Sequence, residues 1–564
     1  MKAELPAEVQ QSQHLVDEFL NSKIQLNVTA DRWKPRLGNY LRMSAAAVYR
    51  IPSTAAEFFK VVHQEFQTRL EALPFCITTY YDTFDWRVFR AGATLQAGQD
   101  GVHRLLTWKN ADVRLSCRAE GKGMPGFASE IPEGPLKEVL SPVVKMRRLL
   151  PVVHVEETGL VLHLLGAKEK TVARIRLLDS TVRVPGELHT KELPSVLEIV
   201  PIKGYEKACE KLVTFVEQKL GLSRESESRF QNAVKAGDIV PGDYTSKFSV
   251  DLDPGMSICK ATIEIHRVLL KSMLINQEGT RQDLDSEFLH DFRVAVRRTR
   301  SALSQIKGVL PETAVKRFTK EFAWLGRITG PSRDLDVYLL KMEDYASLLP
   351  RSLRNDLKPL YSYLEDRKVQ EHRLLVDALD SERYGRLLED WQEFLDSQTN
   401  PDFTLPKAEE PVRRASSKRI WRVYRKILKK GEVIDDQSPA SALHEVRIEC
   451  KKLRYLLEFF RSLHEPQKML KLVKSLRVLQ DNLGDFNDFE VQQGTLKKFA
   501  QSMLEEGKGN VDTLMAMGQL IERLKVGQMK ERQRFSKRFD KFSSRANQKR
   551  FRTLFSSDKV VKQQ

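Results

Sequence analysis

Two stretches of the chain repeat one arrangement of titratable side chains. The first reads His290-Asp-Phe-Arg293-Val-Ala-Val-Arg297-Arg298-Thr-Arg300 and the second His444-Glu-Val-Arg447-Ile-Glu-Cys-Lys451-Lys452-Leu-Arg454. In each, a histidine is followed by cations at offsets 3, 7, 8 and 10. On a helix turning about 100° per residue, the members at offsets 0, 3, 7 and 10 share an arc of roughly 80°, so four of the five groups form one stripe. Phe292, Val296 and Leu303 in one copy, and Leu443, Val446, Leu453, Leu456 and Leu457 in the other, supply an opposite apolar face. Each helix can therefore bury one side and present cations on another. Like charges at these spacings repel by about a few tenths of a kcal/mol per pair, so two such stripes ask for a compensating anion. For a single stripe the usual reading is a solvated face kept for solubility; the same five-position pattern in two copies argues against that reading.

Each basic segment is followed by an acidic one: Gly326-Arg-Ile-Thr-Gly-Pro-Ser-Arg333-Asp334-Leu-Asp336 in the first half and Leu479-Gln-Asp481-Asn-Leu-Gly484-Asp485-Phe-Asn487-Asp488 in the second. Both read as a helix end, a short turn and an acidic helix start, where Asp caps free backbone N–H groups and suits the helix dipole. Alternatively Asp334 and Asp485 accept hydrogen bonds from the stripe and fix its rotamers. The helix before the second stripe is crowded with cations, among them Arg414, Lys418, Arg422 and Arg425, and a further basic band runs from Lys525 to Lys541. Gathered on one surface, these groups would steer a linear polyanion.

The elements that must position these groups follow from length, composition and periodicity. A chain of 564 residues exceeds one ordinary domain. Its 41% hydrophobic and 30% charged residues are those of a globular protein and exclude a collagen-like or wholly disordered chain. The net charge is +17, and residues 251–564 hold 59 basic and 46 acidic groups, net +13, against +4 for residues 1–250. The excess therefore belongs to the C-terminal half, and it favours a polyanionic partner. Five scattered cysteines without a C-x-x-C pair suggest neither a disulfide framework nor structural zinc, and point to a reducing compartment. No apolar run is long enough to cross a bilayer, and the first twenty residues lack signal-peptide character; the expectation is a cytoplasmic protein without membrane association.

Along the chain, residues 1–44 form an N-terminal extension with a candidate amphipathic helix near Leu15–Leu20. Residues 45–235 carry short β-rich runs (Phe75–Tyr81, Arg87–Leu95, Val102–Trp108, Val152–Leu164, Val172–Leu178) between turn signals, with helices over Ala55–Leu70 and Tyr205–Leu220, the pattern of an α+β unit around an antiparallel sheet. Residues 236–255 read as a linker. From 256 to 560 the periodicity is helical throughout, and the break Ser397–Pro411 separates halves of about 256–396 and 412–560. The fold expectation is thus multidomain: a barrel-like antiparallel α+β unit, then an all-α pseudo-twofold bundle.

With its doubled His and basic-residue helices, the stretch from roughly 250 to 560 resembles the CHAD family, the conserved-histidine α-helical domains. That resemblance implies binding of inorganic polyphosphate through His290, Arg293, Arg297, Arg298, Arg300, His444, Arg447, Lys451, Lys452 and Arg454, with Arg414, Lys418, Arg422 and Arg425 on the adjoining helix. Guanidinium forks suit phosphate oxygens, and ammonium groups add charge without strict geometry. The N-terminal part, through Tyr80-Tyr81-Asp82-Thr83-Phe84-Asp85, Leu140-Ser-Pro142-Val-Val-Lys-Met-Arg147 and Leu197-Glu198-Ile-Val200-Pro-Ile-Lys-Gly204, resembles a CYTH domain, the triphosphate-tunnel barrel of inorganic triphosphatases.

The departures from that second pattern matter. Ser44-Ala45-Ala46-Ala47-Val48 stands where such an enzyme carries Glu-x-Glu-x-Lys, Leu95-Gln96-Ala97-Gly98 replaces a Leu-Arg-x-Arg strand, and Glu198 lacks its acidic neighbour at Val200. With too few oxygen ligands for Mg²⁺, the expectation is a non-catalytic domain with no catalytic residues, metal or cofactor. Lys109, Arg118, Arg147 and Arg148 read as ordinary surface charge. Gly121-Lys122-Gly123 lacks the spacing of a phosphate loop, and Ile448 breaks the zinc-protease pattern begun by His444-Glu445. The leading expectation is a cytoplasmic polyphosphate-binding protein, associated with polyphosphate granules. An active triphosphatase and a nucleic-acid-binding module are the alternatives, the latter weakened by the scarcity of aromatics on the stripes.

Overall fold

The computed structural model describes residues 47–51, 55–100, 103–119, 124–397, 405 and 407–556; the candidate helix near Leu15–Leu20, Ser44–Ala46 and Gly121–Gly123 lie outside them. The chain divides into two units, residues 1–245 and 246–564.

The first unit is an eight-stranded, wholly antiparallel sheet. Its strands are β1 (Ala47–Arg50), β2 (Thr68–Asp82), β3 (Thr94–Asp100), β4 (His103–Lys109), β5 (Arg114–Ala119), β6 (Leu150–Leu165), β7 (Thr171–Arg183) and β8 (Thr190–Pro201), ordered β1-β8-β7-β6-β2-β3-β4-β5. The sheet curls without closing, and β1 and β5 are its edges. Period-two alternation sorts the side chains. Tyr49, Leu160, Leu162, Ile175, Leu197 and Ile199 pack on one face with Phe58, Phe59 and Val62 of α1 (Ala55–Glu65) and Leu212 of α4 (Glu206–Thr214). Cys76, Thr78, Tyr80, Glu157, Arg176 and Glu198 line a chamber on the other face. Helices α2 (Arg87–Arg90), α3 (Pro135–Val144) and α5 (Arg229–Ala236) complete the unit.

The run Arg87–Leu95, expected as a strand, opens instead with α2. Asp82 causes this: its carboxylate accepts backbone N–H groups from Thr83 (2.6 Å), Val88 (2.9 Å) and Phe89 (2.8 Å). Three donors captured by one side chain hold the backbone in a turn at Trp86, which adopts φ 58°, and a strand ladder cannot form there. Burial nevertheless raises the Asp82 carboxyl to about 6. Likewise α1 stops at Glu65, because Thr68 already pairs with Leu164 across the sheet.

The second unit is all-α: α6 (Ile258–Arg281), α7 (Ser286–Gln305), α8 (Glu312–Ile328), α9 (Gly330–Leu340), α10 (Met342–Ser347), α11 (Lys358–Leu379), α12 (Glu382–Ser397), α13 (Val412–Gly431), α14 (Ala440–Phe459), α15 (Pro466–Glu505), α16 (Val511–Ser543) and α17 (Arg545–Phe555). Pairs α6–α7 and α13–α14 pack within themselves and against each other, α6 on α13 and α7 on α14. The apolar stripes of both basic helices meet in this core, where Phe292, Val296, Val446 and Leu453 are fully buried. A second core joins α9, α10 and α11 to the distal halves of α15 and α16 through Leu335, Tyr363, Leu496, Met517 and Leu520. The 40 residues of α15 span both cores, with Leu476 and Leu483 in the first and Leu496 and Met503 in the second.

Two turn expectations are corrected here. The helix α15 runs unbroken through Gly484 and Asp485, and only Thr329, itself in helical conformation (φ −80°, ψ −6°), separates α8 from α9. Neither Gly330 nor Gly484 has positive φ. Asp334 and Asp485 are therefore residues within helices and do not cap a helix start.

The α6–α7 pairing depends on one close approach, since a methyl group at Gly279 would overlap the Phe288 ring. Gly279→Ala should lower unfolding stability by about 1–3 kcal/mol, the usual cost of overpacking a filled core, read from the urea midpoint by circular dichroism.

Candidate anion-binding site

Between the two cores of the helical unit lies a cleft of about 600 Å³, lined by five helices. Helix α7 contributes His290, Arg293 and Arg297, α9 contributes Arg333, Asp334 and Tyr338, and α11 contributes Arg367 and Glu371. Arg447 enters from α14 and Asp488 from α15, while Val491 and Phe499 complete an apolar wall. Five arginines thus share one cavity with three carboxylates.

The two basic helices arrive here with the same geometry. Arg333, 43 residues after His290, places its Nη2 3.2 Å from His290 Nδ1; Asn487, 43 residues after His444, places its Oδ1 2.9 Å from His444 Nδ1. A guanidinium only donates, so His290 Nδ1 accepts and its proton sits on Nε2; an amide oxygen only accepts, so His444 Nδ1 carries the proton. Acidic partners keep step too. Asp488, 41 residues beyond Arg447, receives a hydrogen bond from its Nη2 at 3.4 Å, and Asp334, at the same offset from Arg293, is that arginine's electrostatic neighbour.

The copies differ in how the first arginine is held. Arg293 Nη1 donates to Gly326 O at 3.1 Å and to Thr329 Oγ1 at 2.9 Å, both neutral acceptors. Burial, followed by repulsion from Arg297 and Arg333, lowers its pKa to about 10 against the favourable field of Asp334. Arg447 is pushed down by burial and by Arg297, and its Nε is buried without a hydrogen-bond partner among the described residues. Lys451 is the extreme case: burial first, then Arg447, Arg297 and Arg454, bring its ammonium down to about 8, with Asp488 opposing. The mutual repulsion of Arg297 with both Arg447 and Lys451 shows that the stripes of the two halves converge. Neither Arg297 nor Lys451 makes a hydrogen bond or ion pair among the described residues. Such a cluster is short of negative charge, and a multivalent anion would supply it.

Not every residue singled out by sequence joins this cluster. Arg298 turns away to Glu458 (2.8 Å) and stacks over Phe248, and Arg454 pairs with the other oxygen of Glu458 (2.8 Å). Lys452 binds Glu449 at 2.9 Å. Arg300 is exposed beside Gly326, and His444 does not line the cleft. On α13, Lys418 and Arg414 face Glu410 at 2.6 and 3.7 Å, while Arg422 and Arg425 are exposed and make no ion pair among the described residues. The expectation for Asp485 is corrected: its electrostatic neighbours are Glu531, Asp488, Asp481 and Lys341, not the stripe, and Asp488 one turn later takes that place. Sequence reasoning also passed over Arg333, Arg367 and Tyr338. Constant offsets of 43 and 41 residues from each repeat were the available signal for Arg333 and Asp488; Arg367 and Tyr338 have no counterpart to reveal them.

In the first unit, the chamber of about 390 Å³ mixes Lys109, Arg114, Arg176 and Arg229 with Glu157, Glu198, Glu225 and Glu227. Arg176 pairs with Glu198, and Arg229 with Glu157; β1 offers Val48. The divalent metal implied by the triphosphate-tunnel resemblance needs six or more oxygen ligands, largely carboxylates and water. These residues do not fit it, since the two central carboxylates are each held by an arginine. Among the described residues no group of three His, Cys, Asp or Glu could hold a metal ion. Arg147, expected at the surface, is completely buried against Asp85. All five cysteines are free, and no described helix is long and apolar enough to cross a membrane.

Residues 264–497 match the family model of the CHAD domain. Among solved structures, the chain is similar to the CHAD domain from the plant Ricinus communis, with 25% identity over 55% of this chain and 95% of that one, at a TM-score of 0.42. It is similar to PptA from Streptomyces chartreusis (14% identity, 50% and 99% covered, TM-score 0.41). It is also similar to a putative adenylyl cyclase from Hippeastrum described as having a dominant triphosphatase activity (13% identity, 35% and 98% covered, TM-score 0.23). No curated protein matches the chain.

The crowding of Lys451 can be measured directly. Titration of its amine by NMR after reductive methylation should give a midpoint near 8. Arg447→Gln should move that midpoint upward, because removing a neighbouring positive charge restores the ammonium form.

Proposed function

We propose, on the premise that residues 264–497 form a CHAD domain, that this protein binds inorganic polyphosphate in the cleft where its two basic helices meet. The observation that carries this reading is the convergence of Arg297, Arg447 and Lys451, of which only Arg447 has an acidic partner, Asp488, among the described residues. Three cations from two helices meet there, and burial first, then Arg447 and Arg297, bring the Lys451 ammonium down to about 8, with one 3.4 Å hydrogen bond to a carboxylate among the three. A chain carrying one negative charge per phosphate relieves that repulsion without requiring any particular sequence or stereochemistry. Arg293 and Arg333 present further donors. Asp334 and Asp488 hold the arginines in place and leave the cleft's cations in excess.

The same geometry weighs against nucleic acid. Within 290–300 and 444–454 the one aromatic residue is Phe292, which is wholly buried, so neither basic stripe carries an exposed ring on which a base could stack; the aromatic side chains of the cleft, Tyr338 and Phe499, come from α9 and α15. The first unit is proposed to be non-catalytic, because its chamber carboxylates are committed to Arg176 and Arg229. Five free thiols and the proposed ligand together support a cytoplasmic location alongside polyphosphate granules.

Hydrogen bonds to charged groups contribute about 1.5–3 kcal/mol each. Arg297→Ala with Arg447→Ala should therefore weaken polyphosphate binding by at least 100-fold in calorimetric titration of the full chain. Arg298→Ala, whose guanidinium is already paired with Glu458, should change it less than threefold; equal loss in both variants would reject the cleft as the site. Affinity should also fall as pH rises through about 8, where Lys451 loses its proton, and Lys451→Arg should remove that dependence. Incubation with tripolyphosphate and Mg²⁺ or Mn²⁺ should release no phosphate; release that disappears in Glu157→Gln would instead identify an active triphosphatase.

A further inference from the structure

Helix α16 packs into the second core through Ala516, Met517, Leu520 and Leu524, and its other side is open. Val511, Met515, Val526 and Met529 are all exposed there. With Gly518 and Glu522 they stand at offsets 0, 4, 7, 11, 15 and 18 from Val511. At about 100° and 1.5 Å per residue, these offsets confine all six to an arc of roughly 80° along some 27 Å of helix. Single exposed apolar residues are ordinary, but four in one line mark a contact face.

Two features of the stripe identify what covers it. The first is that it reads nearly the same from either end: counted back from Met529, its members fall at 0, 3, 7, 11, 14 and 18. Laid antiparallel on a second copy of itself, Val511 meets Met529, Met515 meets Val526 and Gly518 meets Glu522, each contact occurring twice about one twofold axis. A Cβ at Gly518 would touch nothing in its own chain, so the hollow at this position is free to receive the stem of the opposing Glu522. Lys525, 3.7 Å from Glu522 on the same helix, offsets that carboxylate. The second feature is charge. Asp512 and Lys530 lie 18 residues apart on one edge of the stripe, each about 100° around from Val511. Both are exposed, and neither makes a hydrogen bond or ion pair among the described residues. A twofold axis across an antiparallel pair sets each edge against itself with its ends reversed, so Asp512 of each copy faces Lys530 of the other. A parallel pairing would instead set like charges together.

We infer that this face of α16 is a self-association surface, on which two copies of the chain pair antiparallel through Val511, Met515, Val526 and Met529. The inference does not depend on what the cleft binds. The contact is one helix wide, short of the roughly 800 Å² per partner of a standard interface, so pairing is weak and set by protein concentration. The rim charges fix register and direction more than they add affinity. A lipid surface is a poorer occupant, because Glu522 at the middle of the stripe would enter an apolar phase with no facing hollow to receive it.

The test is sedimentation velocity on the full chain, washed free of phosphate polymer at high salt, at concentrations from about 5 to 500 µM. The sedimentation coefficient should rise with concentration from that of a monomer toward that of a dimer. Met515→Glu with Met529→Glu alters only exposed positions and should keep its thermal midpoint, while weakening pairing by about tenfold or more. Asp512→Lys alone should weaken pairing by about threefold, and adding Lys530→Asp should restore it, because the exchanged charges face each other again. Under mild oxidation, Met515→Cys with Val526→Cys should give a disulfide between copies that joins 515 to 526, mapped by mass spectrometry. A monomer at every concentration, or a dimer unmoved by Met515→Glu with Met529→Glu, would overturn the surface. A dimer that forms without the link from 515 to 526 would overturn the antiparallel register.

Discussion

The helical unit is organised around a local surplus of positive charge that its own fold does not neutralise. Apolar residues on α7 and α14 must be buried against one another, and the cationic stripes, which flank those apolar faces at about 100° around each helix, then come together at the rim of that core. Burial first, and then the neighbouring cations, depress the basicity of Arg293, Arg447 and Lys451. Asp334 and Asp488 offset part of this. A surplus maintained by packing is a standing affinity for anions. On the proposed reading, recognition of a phosphate chain needs no moving part, and burial of Phe292 and Val446 is as much a part of the candidate site as the guanidinium groups above them.

Placement of the acidic partners shows how the second core contributes. Asp488 lies where α15 leaves the first core, bounded by Leu483 and Leu496, and Asp334 lies within α9, the helix that feeds the second. The cleft is thus a junction between two cores, and a helix of 40 residues fixes their relation. Tyr338 stands at this junction, its hydroxyl buried in the field of both aspartates and its pKa pushed up to about 12, first by burial. It keeps the floor of the cleft neutral, so cations and carboxylates act on a ligand from the walls.

Much of this was legible in the residues themselves. Duplication of His290 through Arg300 as His444 through Arg454, together with the helical period of their apolar neighbours, placed the stripes on helices and anticipated an internal repeat. The segregation of β-rich from helical patterning separated the two kinds of architecture. What escaped notice depended on register or tertiary context. Asp485 and Asp334 share a local pattern of glycine followed by acidic residues that reads as a turn and helix start, yet a constant shift of 154 residues carries Asp334 onto Asp488; the local motif misleads where the repeat does not. The pairing of Arg298 and Arg454 with Glu458 and the burial of Arg147 are contacts between distant segments, which no spacing reports. The strand expected at Arg87 failed for a related reason, since the buried carboxylate of Asp82 captured three backbone donors there.

The account's central claim concerns where the negative charge of the ligand comes to rest. Its most direct test is an experimental structure of the full chain with bound polyphosphate. The account predicts phosphate oxygens within hydrogen-bonding distance of Arg297, Arg447 and Lys451 at once, bridging the two halves of the repeat. Phosphates seated elsewhere, with these three side chains still bare, would contradict it.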